Sequence, residues 1–233
     1  MTRTNAAAIV AVVLALLFAG AATVASAGRE GAPAATTPSA DSADAGFARD
    51  MAVHHQQAVE MSFLVRDSTD DEEVRRLAYD IANTQANQRG MMLGWLDMWK
   101  LPKVATGQEP MAWMAQSGGP EGMGHEDMSH QDMGHESAQD GGHDTSDGAL
   151  MPGMATKTEL NELRDARGKQ AEILYLQLMT DHHKGGITMA QSCATLCEVD
   201  AERSLAAGMV TAQQSELNLM SDLLKARGAE PRA

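Results

Sequence analysis

Aromatic side chains are scarce in this chain, with three Trp, two Tyr and three Phe among 233 residues. Alternating apolar runs are equally few, and no Asn-Gly pair is present to turn a hairpin. These shortages argue against a sheet scaffold, because strands draw on β-branched and aromatic residues at period two. Positive charge is short as well: 18 Lys and Arg stand against 32 Asp and Glu, a formal charge of −14. The phosphates of a nucleic acid would be repelled by such a surface, whereas small cations would not. Cysteine occurs only at Cys193 and Cys197. An i, i+4 pair within one helix is poorly placed for the specific geometry of a disulfide. Buried thiols, an intermolecular pair or soft metal ligands are the readings left open.

Catalytic signatures are missing too. The chain has no Gly-x-Ser-x-Gly, no phosphate-binding Gly-x-x-x-x-Gly-Lys-Ser/Thr and no His-Glu-x-x-His. It also lacks the Glu-x-x-His of di-iron bundle oxidases. A blue-copper centre would want strands and a Cys among its histidines. No catalytic residue is assigned, and a binding protein is expected rather than an enzyme.

What is present begins with an export signal. Arg3 precedes an apolar run from Ala6 to Val24, and Ala25-Ser26-Ala27 forms a small-x-small cleavage site. Residues 1–27 are therefore expected to be a signal peptide, placing the mature protein in the periplasm, the cell envelope or outside. A membrane is involved only if that segment is retained. No cysteine follows the run to carry a lipid.

Methionine is plentiful, 17 residues in all, and much of it follows an internal repeat. Met51-Ala-Val-His54-His55, with Met61 beyond, recurs 128 residues later as Met179-Thr-Asp-His182-His183, with Met189 beyond. The same offset carries Arg75, Leu77, Ala78, Gln85, Met92 and Leu96 onto Arg203, Leu205, Ala206, Gln213, Met220 and Leu224. Each copy reads as two helices. Met51, His54, His55, Ala58 and Met61 lie on one helical face, and Leu77, Ile81, Gln85, Gln88, Met92, Trp95 and Leu96 on another. The polar turn 67–71 supplies caps, with a capping-box-like spacing from Asp70 to Glu73, and Pro102 closes the second helix. In the second copy, Thr156 and Glu159 open a helix running toward Cys197, with a weak point at Gly168. The last helix is expected from about Asp200 to Ala226, with Gly228 after it.

The expected architecture is all-α: a four-helix bundle of two duplicated hairpins, residues 45–101 and 158–228. Residues 28–44 are expected to be flexible. Residues 102–157 form a Met/His-rich linker without apolar periodicity, its middle expected to be disordered.

The two Met-x-x-His-His units carry the chemistry. At i, i+3 and i+4, Met51, His54 and His55 project within about 100° of arc, and Met61 continues the stripe. Met179, His182, His183 and Met189 repeat it. Thioether is a soft donor and imidazole a borderline one, a mixture that favours Cu(I) and admits Cu(II). Gln85 and Gln213 are read either as partners orienting the histidines or as interface residues. Asp50 and Asp181 are expected beside the pairs. In the linker, Met123-Gly-His125, Met128-Ser-His130 and Met133-Gly-His135 recur every five residues, with His143 beyond. A segment without a core needs no methionine for packing, so these are candidate ligands too. Met111, Met114, Met151 and Met154 are weaker ones.

The doubled Met-x-x-His-His-x5-Met pattern, each copy followed by Gln-x-x-Gln/Glu-x3-Met and the second preceded by Met-Pro-Gly-Met, resembles the domain of unknown function 305 (DUF305) family. That resemblance spans about residues 45–99 and 151–228. It implies a ferritin-like bundle, export and copper binding, with Met51, His54, His55, Met61, Met179, His182, His183 and Met189 as ligands. One departure is Lys184-Gly185-Gly186, which predicts a looser helix after the second pair. The expected function is to sequester, buffer or deliver copper, with metal ions and an exporter or other envelope copper protein as partners. A zinc or nickel binder, or a structural envelope bundle, is the alternative.

Overall fold

The computed structural model describes residues 37–115 and 147–232. The expected signal peptide lies outside the described residues, as do Met123, His125, Met128, His130, Met133, His135 and His143. The described residues form six helices and no strand. They are α1 (Ala43–Ser68), α2 (Glu72–Trp99), α3 (Ala112–Ala115), α4 (Lys157–Asp165), α5 (Gly168–Leu196) and α6 (Asp200–Ala226).

Short polar side chains set the helix ends. The Ser42 hydroxyl accepts from the Ala45 amide at the start of α1. Asp71, rather than Asp70, caps α2 by accepting from the Glu73 and Val74 amides. Lys100 closes that helix in the left-handed region, at φ 58°. Thr156 and Glu159 form the expected reciprocal capping box. The single helix expected toward Cys197 is two: Ala166 and Arg167 are extended, and Gly168, at φ +53°, restarts the chain as α5. The last helix ends as expected, with Gly228 at φ +69° behind it.

Helices α1 and α2 pack as one hairpin and α5 and α6 as the other, and the hairpins dock through α1 against α5. The docking follows the repeat. His182 Nε2 meets the His54 carbonyl at 3.0 Å, a contact between residues 128 apart. On either side of this crossing the core divides into two apolar clusters. Met51 and Met189 lie in one, Met61 and Met179 in the other. Each cluster thus joins the start of one copy's motif to the end of the other's, as an antiparallel crossing of duplicated helices requires.

The ends of the expected linker belong to the packed body. Trp113 of α3 is buried over Gly46, where a Cβ would lie 2.4 Å from the indole, and meets Phe47 edge-on at 5.9 Å. Gln57 exchanges two hydrogen bonds with the Ala155 backbone, at 2.8 and 2.7 Å, and Met151 is buried. Met111, Met114 and Met154 pack half-buried on the same cluster as Met51.

The cysteines correct the sequence reading. Cys193 and Cys197 are joined in a disulfide with Cα atoms 4.8 Å apart. The i, i+4 objection fails because α5 ends at Leu196 and Cys197 is already extended, so the bond staples a helix end to the turn beyond it. No helix among the described residues is long and apolar enough to cross a membrane.

Candidate metal centre

The repeated motifs meet at the middle of the α1–α5 crossing. His54, His55, His182 and His183 are all buried, and the rings of His54 and His182 lie 3.7 Å apart between centroids. Met51, Met61, Met179 and Met189 are fully buried above and below them. The eight repeat-derived candidates thus occupy one continuous stretch of the interface between α1 and α5.

Hydrogen bonds fix the rings. His55 Nε2 meets Gln88 Oε1 at 2.9 Å, and His183 Nε2 meets Glu216 Oε2 at 2.7 Å. Both oxygens are acceptors, so Nε2 of each ring carries a proton and donates it. The Nδ1 atoms of His55 and His183 are left buried without a partner. His182 likewise donates from Nε2 to the His54 carbonyl. Neither nitrogen of His54 makes a well-aligned hydrogen bond, although the Pro152 carbonyl lies near the ring. A second residue that holds one nitrogen and frees the other is how metal-binding histidines are generally oriented.

Burial keeps the rings of His54, His55 and His182 neutral. Desolvation, reinforced by His55 and His183, lowers the His54 pKa from 6.5 to about 3, against a small opposing pull from the Pro152 carbonyl. Desolvation lowers His55 to about 4, with Gln88 opposing. The same burial, with its three imidazole neighbours, holds His182 well below its ordinary value. Neutral imidazole is the metal-binding form.

Several side chains expected near the centre do not hold its rings. Gln85 is buried but touches no hydrogen-bond partner, and Gln213 Oε1 is likewise bare. The orienting role expected of them falls one turn later, to Gln88 and Glu216. The signal was present as the Gln-x-x-Gln/Glu spacing, but a one-turn choice cannot be made without the helix-to-helix offset. Asp50 turns away, accepting from the Met111 amide at 2.7 Å and Trp113 Nε1 at 3.0 Å. Asp181 pairs with Arg232 Nε at 2.8 Å. Met92 and Met220 are core residues. The glycines after the second His pair do not loosen α5. A Cβ at Gly185 would lie 2.0 Å from the Pro152 carbonyl, and one at Gly186 2.7 Å from Gln213 Oε1 and 3.3 Å from His54. They let the Met151–Met154 loop and the His54 ring approach the helix backbone.

Among the described residues, no three of the histidines bring ring nitrogens within 4.8 Å of one another. Imidazole alone therefore does not build a closed centre here, and further donors would have to complete a ligand set.

The DUF305 family, a domain of unknown function, matches residues 44–224. The chain belongs to the DUF305 family. A DUF305 protein from Streptomyces coelicolor, named as predicted to be secreted, is 54% identical with a TM-score of 0.68, covering 84% of this chain and 99% of that one. A DUF305 fragment from Deinococcus radiodurans is 23% identical with a TM-score of 0.56, covering 79% and 96%. CopM in its Cu(I)-bound form is 18% identical with a TM-score of 0.53, covering 78% and 96%. The last two likenesses concern the fold. No curated protein matches the chain.

Proposed function

We propose that this DUF305 protein binds copper outside the cytoplasm, holding Cu(I) between α1 and α5 with imidazole nitrogen and methionine sulfur. The observation that carries the reading is a set of buried ring nitrogens, those of His54 and the Nδ1 atoms of His55 and His183, left without a well-aligned hydrogen bond. Leaving such groups unpaired costs about 1–3 kcal/mol each, so a ligand that pairs them is strongly favoured. A soft monovalent ion needs few donors, and the four buried methionines supply sulfur on both sides. Zinc fits this centre less well, since it wants three or four N, O or S⁻ donors in a closed set and has little use for thioether. The Met-x-His tract from Met123 to His135 would collect ions and pass them to the bundle, and the loaded protein would buffer copper or hand it to an exporter. The likeness to Cu(I)-bound CopM supports the fold in which such a site can be built.

An anaerobic Cu(I) titration against a chromophoric chelator tests the reading. The mature protein should compete tightly, and changing His54, His55, His182 and His183 to Ala should weaken that phase at least about ten-fold. Equal competition by both proteins would move the copper to the tract; competition by neither would overturn the copper reading.

A further inference from the structure

The two ends of the bundle are related by the same offset of 128 residues, and one end is short of a cation. At the α1–α2 turn, Glu172 reaches across from α5. Its carboxylate accepts from Thr69 Oγ1 at 2.5 Å and is neutralised by Arg227 Nε at 2.6 Å, whose Nη2 also reaches Asp71 at 2.9 Å. At the α5–α6 turn the equivalent of Glu172 is Asp44, reaching across from α1 to accept from the Glu198 and Val199 amides at 3.0 and 2.7 Å. There Cys197 replaces Thr69, Glu202 replaces Val74, and Trp99 stands where Arg227 would be needed.

The second end therefore buries two carboxyls and no counter-ion. Glu202 is fully buried and neither of its oxygens meets a donor. Among the described residues no salt bridge reaches it or Asp44; the nearby Arg203 guanidinium is spent on the Cys197 and Glu198 carbonyls and on Asp200. Two such carboxyls need one cation between them, a proton or a metal. One ligand atom from each of Asp44, Glu202 and Cys197 lies within 4.8 Å of the others, close to the spread of about 3.5 Å that tetrahedral donors adopt around zinc.

We propose that opening the Cys193–Cys197 disulfide converts this pocket into a second metal site, in which Asp44, Glu202 and the Cys197 thiolate hold a divalent cation of the zinc class. In the oxidised chain the Cys197 sulfur is bonded to Cys193 and is a poor donor. A dithiol reductant opens it by thiol–disulfide exchange: two electrons and two protons pass to the protein sulfurs as the dithiol closes into its own disulfide. The incoming cation displaces the Cys197 thiol proton and the proton shared by the carboxyls. Two oxygens and one thiolate suit zinc rather than Cu(I), so this site is separate from the His and Met centre and does not rest on it. Reciprocally, the cation favours the reduced chain, because it binds that form better.

Cadmium reads the site directly, since thiolate ligation gives an ultraviolet charge-transfer band that imidazole and thioether do not, and the chain has only two cysteines. The full mature chain is titrated with Cd(II) after reduction and anaerobic removal of the dithiol. The band should be absent from the oxidised protein and present in the reduced protein. It should also appear in Cys193→Ala, which needs no reductant, and vanish in Cys197→Ser. Zn(II) should displace it. Glu202→Gln, an amide of nearly the same shape, should weaken binding about ten-fold or more, and Asp44→Asn should do likewise. Loss of the band in Cys193→Ala would make the two thiols themselves the ligands and overturn the proposal. So would helical, folded Glu202→Gln and Asp44→Asn proteins that bind within about two-fold of the parent.

Discussion

The neutral rings at the crossing tie the protein's stability to pH. His54 takes up a proton near 6.5 when unfolded but only near 3 in the fold, and His55 only near 4. Between those values the unfolded chain holds more protons, so this contribution to stability is complete above 6.5 and is lost as pH falls toward 4. Glu202 acts in the opposite sense: burial beside Asp44 raises its pKa from 4.5 to about 9, so its contribution is complete below 4.5 and lost as pH rises through about 9. The Glu202→Gln protein isolates the histidines. In metal-free form its urea midpoint should fall steadily from about pH 7 to about pH 5, a loss on the order of a few kcal/mol. A flat midpoint over that range would show that the rings are not desolvated. Residue identity at the centre was legible in the sequence, because Met51, His54, His55 and Met61 recur at one offset and land on one face. What was not legible is which polar neighbour reaches each ring. Gln85 and Gln88 stand on the same helical stripe, and only the depth at which α2 meets α1 selects Gln88.

Among the elements, α5 shows most plainly how a local pattern can mislead. Gly185 and Gly186 resemble a weak point when α5 is considered alone, yet the Pro152 carbonyl and the His54 ring occupy the space their side chains would fill. Gly185→Ala should therefore cost about 1–3 kcal/mol, measured by denaturant or heat, by forcing the Met151–Met154 loop off the helix. A stability equal to or above the parent, as expected for alanine in an open helix, would refute the close approach. The cysteines were misread for a related reason. The apolar and small residues run on through Cys197, so nothing local marks Leu196 as the last helical residue. The cap that decides it comes from outside, where Asp44 of α1 accepts the Glu198 and Val199 amides and fixes the turn. By contrast α6, which begins at Asp200 and ends ahead of Gly228, was located correctly.

For the molecule as a whole, the all-helical bundle and its two-copy construction followed from the helical spacing together with the offset, since two hairpins with apolar faces can satisfy them only against each other. The inner linker ends escaped, because Trp113 and Met151 earn their burial from α1 and α5 and show no periodicity of their own. A protein lacking residues 116–146 separates the bundle from the tract. It should keep the tight Cu(I) phase and lose part of the total copper bound at saturation. Disappearance of the tight phase would assign it to the tract instead.

Joining the two hairpins in one chain has an evolutionary consequence. A single hairpin that met its own copy would place the same side chain on both sides of the crossing, and any change would appear twice. A fused pair is released from that rule. It can hold amide Gln88 against His55 and carboxylate Glu216 against His183, and put Arg227 at one pole while leaving Asp44 and Glu202 at the other. The duplicated chain thus gains a head and a tail, two poles of different charge and hydrogen-bonding chemistry.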